Sequence, residues 1–455
     1  MLKVMAKRNI SLLVFLIIGI QLFGQDYTLE KCKTLALKNN LSIKESKLKI
    51  DAAKELKKNA FTNYFPKVSA SASLFKSSKS LLEIETPEMN LPVYDGNPEN
   101  LVNPTQFAYI PSFSIETLDY TNSAALTAIQ PLYAGGRIKI GNKLATLNKD
   151  VQELQHDLNV SEIMVKTEAY YWNLVALNEK KKTIENYQTL LQNLHKEVND
   201  FYEAGLTQKS NVLKVKLELN KIEGNKLKLT NGIDVLKMVF AQHLGLEDYQ
   251  NLSVLDSIID IKKPSVYYQE PQIAIKNRKE TALLNKAVEA EVLQKKLSSG
   301  EHLPELGVGV GGLYLDVAYN SDFYGVVFAS LSIPISDWWG GSHKRKEHNF
   351  KIEMAKNNLE EKSQLMQIQI SKEYKTLTES YKQIEIAQTS LNQSNEYLQE
   401  LEDTYDAGLT NLSDLLEAKA INQEAKDALI DAKSKYKINI AKYLLALGNY
   451  SVLQD

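Results

Sequence analysis

Hydrophobic residues along this chain follow two rhythms. Ile184, Tyr187, Leu191, Leu194, Val198 and Phe201 step by three and four residues, and after a short break Val215, Leu219, Ile222, Lys226, Leu229, Ile233, Leu236 and Phe240 continue the alternation. That spacing puts one apolar stripe on each of two helices, the seam of a coiled coil, with Lys226 as its polar member. Ile384, Ala387, Leu391, Ser394, Leu398, Leu401 and Tyr405 repeat the seam in the second half, where Ser394 is the polar member. Positions away from the stripes are rich in Lys, Glu, Asn and Gln and meet water. No proline falls between Gly136 and Ala204, so a helix over most of that stretch would reach roughly 100 Å at 1.5 Å per residue.

The second rhythm has a period of two. Val68, Ala70, Ala72 and Leu74 alternate with Ser69, Ser71 and Ser73, as expected of a strand with one face in lipid and the other in water. Four strands are predicted, at 65–75, 121–131, 305–317 and 324–335. In the third, Leu306, Val308 and Val310 change phase to Leu313, Leu315 and Val317 across Gly311-Gly312, which predicts a bulge. Each strand has about the 9–11 residues that a tilted strand needs to cross a bilayer. Four strands cannot close a barrel, and an open edge in lipid would strand backbone groups at several kcal/mol each. Several copies must therefore share one barrel, 8 strands from two copies or 12 from three, arithmetic that the sequence leaves open. A long loop is expected over 76–118 and a short one over 318–323, both facing outward. Tyr133, Trp338 and Trp339 fall where strands meet helices, fitting either an aromatic belt at the membrane surface or packing beneath the barrel.

The two rhythms occur twice. Tyr202-Glu203-Ala204-Gly205-Leu206-Thr207 matches Tyr405-Asp406-Ala407-Gly408-Leu409-Thr410, and the same offset carries Pro131-Leu132 onto Pro334-Ile335, the one followed by Tyr133 and Gly135-Gly136 and the other by Gly340-Gly341. Tyr64-Phe65-Pro66 is echoed by His302-Leu303-Pro304. Matched landmarks in one order predict two structural repeats, about 25–250 and 265–450, each running helix, strand, strand, long helix, turn, long helix. At the turns Gly205 and Gly408 suit the left-handed position that ends a helix. Leu206 and Leu409 are expected to close the cap, and Thr207 and Thr410 to cap the next helix.

Composition removes whole classes of function. Among 455 residues, 44% are hydrophobic and 24% charged, with 20 Gly and 11 Pro, so the chain is ordered rather than low-complexity. Lys and Arg (54) nearly cancel Asp and Glu (56), leaving no surplus to hold nucleic acid. The single cysteine, Cys32, forms no intramolecular disulfide and reads as a small buried side chain. Lys3, Lys7 and Arg8 precede the apolar run 10–23, followed by Gly24-Gln25-Asp26, the pattern of a signal peptide over 1–24. Gly307, Gly309 and Gly312 spell GxGxxG, yet they lead from a helix into a strand, the reverse of a dinucleotide loop. His343 and His348 are not spaced as a helical metal pair, and no nucleophile elbow or gathered carboxylates exist. No catalytic residue, metal or cofactor is expected.

Taken together, Tyr27-Thr28-Leu29-Glu30, Phe65-Pro66, Pro131-Leu132-Tyr133 with Gly135-Gly136, and both Gly-Leu-Thr turns resemble the TolC family of outer-membrane efflux and secretion channels. The resemblance implies an α+β membrane protein: a long α-helical coiled-coil barrel continued by a trimeric 12-stranded transmembrane β-barrel, four strands per protomer. It also implies an exit duct of a tripartite efflux pump or type I secretion system, partnered by a periplasmic adaptor and an inner-membrane transporter of the RND, ABC or MFS class. Gly205, Leu206, Thr207, Gly408, Leu409 and Thr410 would then be adaptor-docking tips. Asp414 and Glu417 stand where the family has its acidic constriction and Tyr405 where it has a gating tyrosine; threefold symmetry would make carboxylate rings that favour cations. Thr410 and Asn211 replace an Arg and an Asp with which some members lock the tunnel. The rival reading is a periplasmic coiled-coil adaptor or structural envelope protein with a soluble β domain.

Overall fold

The computed structural model describes residues 26–117, 120–254, 261–317 and 320–450; the expected signal peptide lies outside them. In chain order the elements are β1 (Asp26–Tyr27), α1 (Leu29–Asn39), α2 (Leu41–Thr62), β2 (Lys67–Lys76), β3 (Leu82–Thr86), β4 (Met89–Val93), β5 (Gln106–Ile110), β6 (Phe113–Thr117), β7 (Tyr120–Ala134), α3 (Arg137–Glu203) and α4 (Lys209–Leu244). Then follow β8 (Ser253–Val254), α5 (Pro271–Asn277), α6 (Lys279–Glu301), β9 (Glu305–Val317), β10 (Asn320–Ser332), α7 (Asp337–Asp406) and α8 (Leu412–Ala446). The chain forms two compact units, one of residues 54–147 and 290–352, the other of the segments flanking these.

The first unit holds a four-stranded antiparallel sheet in the order β10-β9-β7-β2. Its register places Val68, Ala128, Val310 and Val327 in one row and Ser69, Thr127, Gly311 and Val326 in the next. Adjacent rows point to opposite faces. On the first face Val68, Leu126, Val310 and Val327 are 68%, 58%, 54% and 84% exposed, an apolar surface left uncovered among the described residues. On the second, Ser69 and Thr127 pair their hydroxyls at 2.9 Å and Ser73 and Ser123 at 2.7 Å. Both outer strands, β10 and β2, keep a free edge among the described residues.

Three expectations need correction here. Pairing runs unbroken through Gly311 and Gly312, opposite Val326 and Gly325, so the change of phase is a change in which face is apolar. Leu313 and Leu315 share the face of Ala125 and Ser123, while the Phe323 ring fills the space that Gly312 leaves. The sheet's bulge lies in β7 between Pro131 and Tyr133, where a residue without an N–H cannot serve the ladder. The long loop is also structured: β3 pairs with β6 and, nested within, β4 pairs with β5. β10 begins at Asn320, four residues before the expected start, so the link from β9 shrinks to 318–319, which lie outside the described residues.

The other unit is helical and holds three apolar clusters. One gathers Met164, Tyr171, Leu174, Phe240 and Leu244 with Cys32, which is fully buried. A second joins Tyr187, Leu191, Leu194 and Val198 of α3 to Val215 and Ile222 of α4 and Leu412 and Leu415 of α8. The third packs Ile370 and Leu377 of α7 on Tyr436 and Tyr443 of α8. The seams read from spacing are thus the packed faces, except that Phe201 stands 41% exposed. At 67 residues α3 is about 100 Å long. Among the described residues no helix is long and apolar enough to cross a membrane.

Candidate functional site: hairpin tips and the aperture residues

Both tips close by the same backbone device. Gly205 has φ 74° and Gly408 φ 71°; the N–H of Leu206 donates to Phe201 O and that of Leu409 to Thr404 O, each at 2.8 Å. These are six-to-one bonds, the cap in which a left-handed residue turns the chain back on its last carbonyls. The expected apolar closure is absent. Leu206 and Leu409 are 75% and 80% exposed. Nor do the threonines cap: Thr207 Oγ1 accepts from Asn211 Nδ2 at 2.8 Å, and Thr410 Oγ1 donates to Asp414 at 3.1 Å. Asn411 caps α8 instead, accepting from the N–H groups of Ser413 and Asp414, whereas Gln208 precedes α4 without a side-chain cap. Lys214 Nζ reaches Ser413 Oγ at 2.8 Å, tying the two hairpins near their tips.

Behind the second tip, Asp414 also accepts from Asn411 Nδ2 at 2.7 Å, while Glu417, one turn on, is exposed. Tyr405 packs against the tip cluster, and burial, with the nearby carboxylates of Glu197 and Asp406, raises the pKa of its phenol. Asn211 and Thr410 bond only within their own turns, so neither forms a lock across the hairpins.

No seam is predicted over α8, yet buried polar side chains of that helix join it to its neighbours. Lys419 and Asn422 are buried on α8; Lys419 pairs with Glu402, and Asn422 Nδ2 donates to Ser394 Oγ at 3.2 Å and Asn395 Oδ1 at 2.6 Å. Gln423 and Asp427 meet Thr183 of α3 at 2.9 and 3.0 Å, and Asp431 meets Lys180 at 2.6 Å. Burial raises the pKa of the Asp427 carboxyl against these hydrogen bonds. A signal existed: Leu412, Leu415, Lys419 and Asn422 keep the three-four step. Tyr133, Trp338 and Trp339 are 47%, 51% and 82% exposed, and Trp338 Nε1 donates to His302 O at 2.9 Å. Among the described residues no group of His, Cys, Asp and Glu could hold a metal.

Residues 271–449, which run from α5 through α8, match the family model described as outer membrane efflux protein. The fold is similar to VceC of Vibrio cholerae (TM-score 0.70, 14% identity, 92% of this chain and 96% of that one). It is similar as well to the CmeC channel of Campylobacter jejuni (0.71, 15%, 94% and 87%). A third likeness is to the open state of the MtrE channel of Neisseria gonorrhoeae (0.70, 13%, 92% and 88%). No curated protein matches the chain.

Proposed function

We propose that this protein is an outer-membrane exit duct, in which three copies close a 12-stranded barrel and their helices carry cargo from an inner-membrane transporter through the periplasm. The observation that carries this reading is the sheet: two unpaired edges and an uncovered apolar face. In lipid that face needs no cover, and the edges are satisfied when copies pair edge to edge. The exposed leucines support docking at the tips. Leu206 and Leu409 offer apolar anchors on rigid turns, suited to the helical hairpin of a periplasmic adaptor. Asp414 and Glu417 would ring the aperture and favour cations.

Planar-bilayer recording tests the reading. Purified protein is expected to insert and conduct in uniform steps, and absence of conductance from assembled protein would refute it. A boiling-insensitive monomer confined to the soluble periplasmic fraction would favour the adaptor reading instead.

A further inference from the structure

A cavity of ≈ 480 Å³ opens between α6 and the start of α7. Lys295, Lys344 and Arg345 stand around it, with His302 and His348, and no lining residue is acidic. Lys344 shares its charge with Glu301 at 3.7 Å; Lys295 and Arg345 have no ion-pair partner among the described residues. Both ring nitrogens of His302 and Nδ1 of His348 are buried without a hydrogen-bond partner. An imidazole always carries at least one N–H that needs an acceptor, and such groups are rarely left unmatched. The charged groups at hand, ammonium and guanidinium, only donate, and of the two lining hydroxyls, those of Ser298 and Ser299, the Ser299 hydroxyl is turned to Lys295 O at 2.8 Å. What the cavity lacks is therefore a compact anion with several acceptor oxygens.

The surroundings indicate where that anion comes from. Trp338 lines the cavity, and Trp339 beside it is 82% exposed. Both lie in the first turn of α7, just past the strand end at Ser332, and exposed indoles at that position match the depth of headgroups. The run His343-Lys344-Arg345-Lys346 adds basic side chains next to the cavity, the composition that holds anionic headgroups.

We propose that this cavity binds the phosphate of an anionic phospholipid headgroup, with Lys295 and Arg345 as the principal charges; the proposal rests on the outer-membrane reading. The test uses the assembled protein in uncharged detergent, offered phosphatidylglycerol, phosphatidylcholine or inorganic phosphate and read by native mass spectrometry. Phosphatidylglycerol should be retained over phosphatidylcholine. Lys295→Gln with Arg345→Gln should weaken that retention by about tenfold or more, while the charge-preserving Lys295→Arg with Arg345→Lys should keep it. Equal retention of the two lipids, or by the neutralised variant, would overturn the proposal. Displacement by inorganic phosphate at equal concentration would overturn it as well, by assigning the site to the free ion. The same spectra keep the two readings apart: three copies without lipid would sink the lipid site alone, and a single copy would sink the channel.

Discussion

Gly135 lies against Gly300 backbone to backbone: with φ 61° at Gly135, a Cβ there would overlap the Gly300 carbonyl oxygen. This close approach sets where β7 turns into α3 beside the end of α6. Gly135→Ala combines the overlap with left-handed strain and should cost at least about 2 kcal/mol. Gly136→Ala meets open space at φ 76° and should cost only about 1 kcal/mol. Denaturant midpoints of the assembled protein check the order, and equal losses would contradict the packing.

The buried polar seam predicts coupling. Ser394 and Asn422 interact across the second hairpin, so a double-mutant cycle with alanine at both sites should return about 0.5–1.5 kcal/mol. Additive losses would mean that the bond contributes nothing.

Acid should loosen the helical core through His243. Its ring is buried, with Nε2 2.9 Å from Thr167 Oγ1. The Thr167 hydroxyl donates to Ile163 O, so Nε2 carries the hydrogen. Burial, chiefly, lowers its pKa to about 4, below the roughly 6.5 of an unfolded histidine. Between those values the unfolded chain binds more protons, so stability present above about pH 6.5 is lost as the pH falls towards about 4. Unfolding measured at pH 7, 5.5 and 4.5 should show this decline, and His243→Gln should flatten it.

Asp414→Asn with Glu417→Gln should reduce cation preference, moving the reversal potential under a salt gradient towards zero without changing assembly. Unchanged selectivity would remove the aperture role.

Gly408→Pro should abolish export while assembly persists, because the turn then loses both its left-handed φ and the N–H that donates to Tyr405 O at 2.9 Å. Normal export would separate the tip from docking.

Much of this architecture was legible because it is local. The seam from Ile184 to Val198, the glycine turns and the alternating strand at Val68–Leu74 each follow from a spacing that a few residues fix. Strands β3 to β6 were hidden by Pro87, Pro92 and Pro111, which read as loop although Pro92 sits opposite Phe107 in a ladder. The bulge was misplaced because phase in a strand reports which face is apolar, and near Gly311 both faces are. Leu206 and Leu409 were assigned a cap contact that their turns do not make, and their exposure became visible only in three dimensions. Lys419 and Asn422 kept the seam's step, but pairing with Glu402 and Ser394 depends on the neighbouring helix, which spacing within α8 does not report.

The most direct measurement is the mass of the particle extracted from membranes in detergent. Three copies in one particle are predicted, since a protomer offers four strands and two open edges. One copy, dissolved without detergent, would contradict the account.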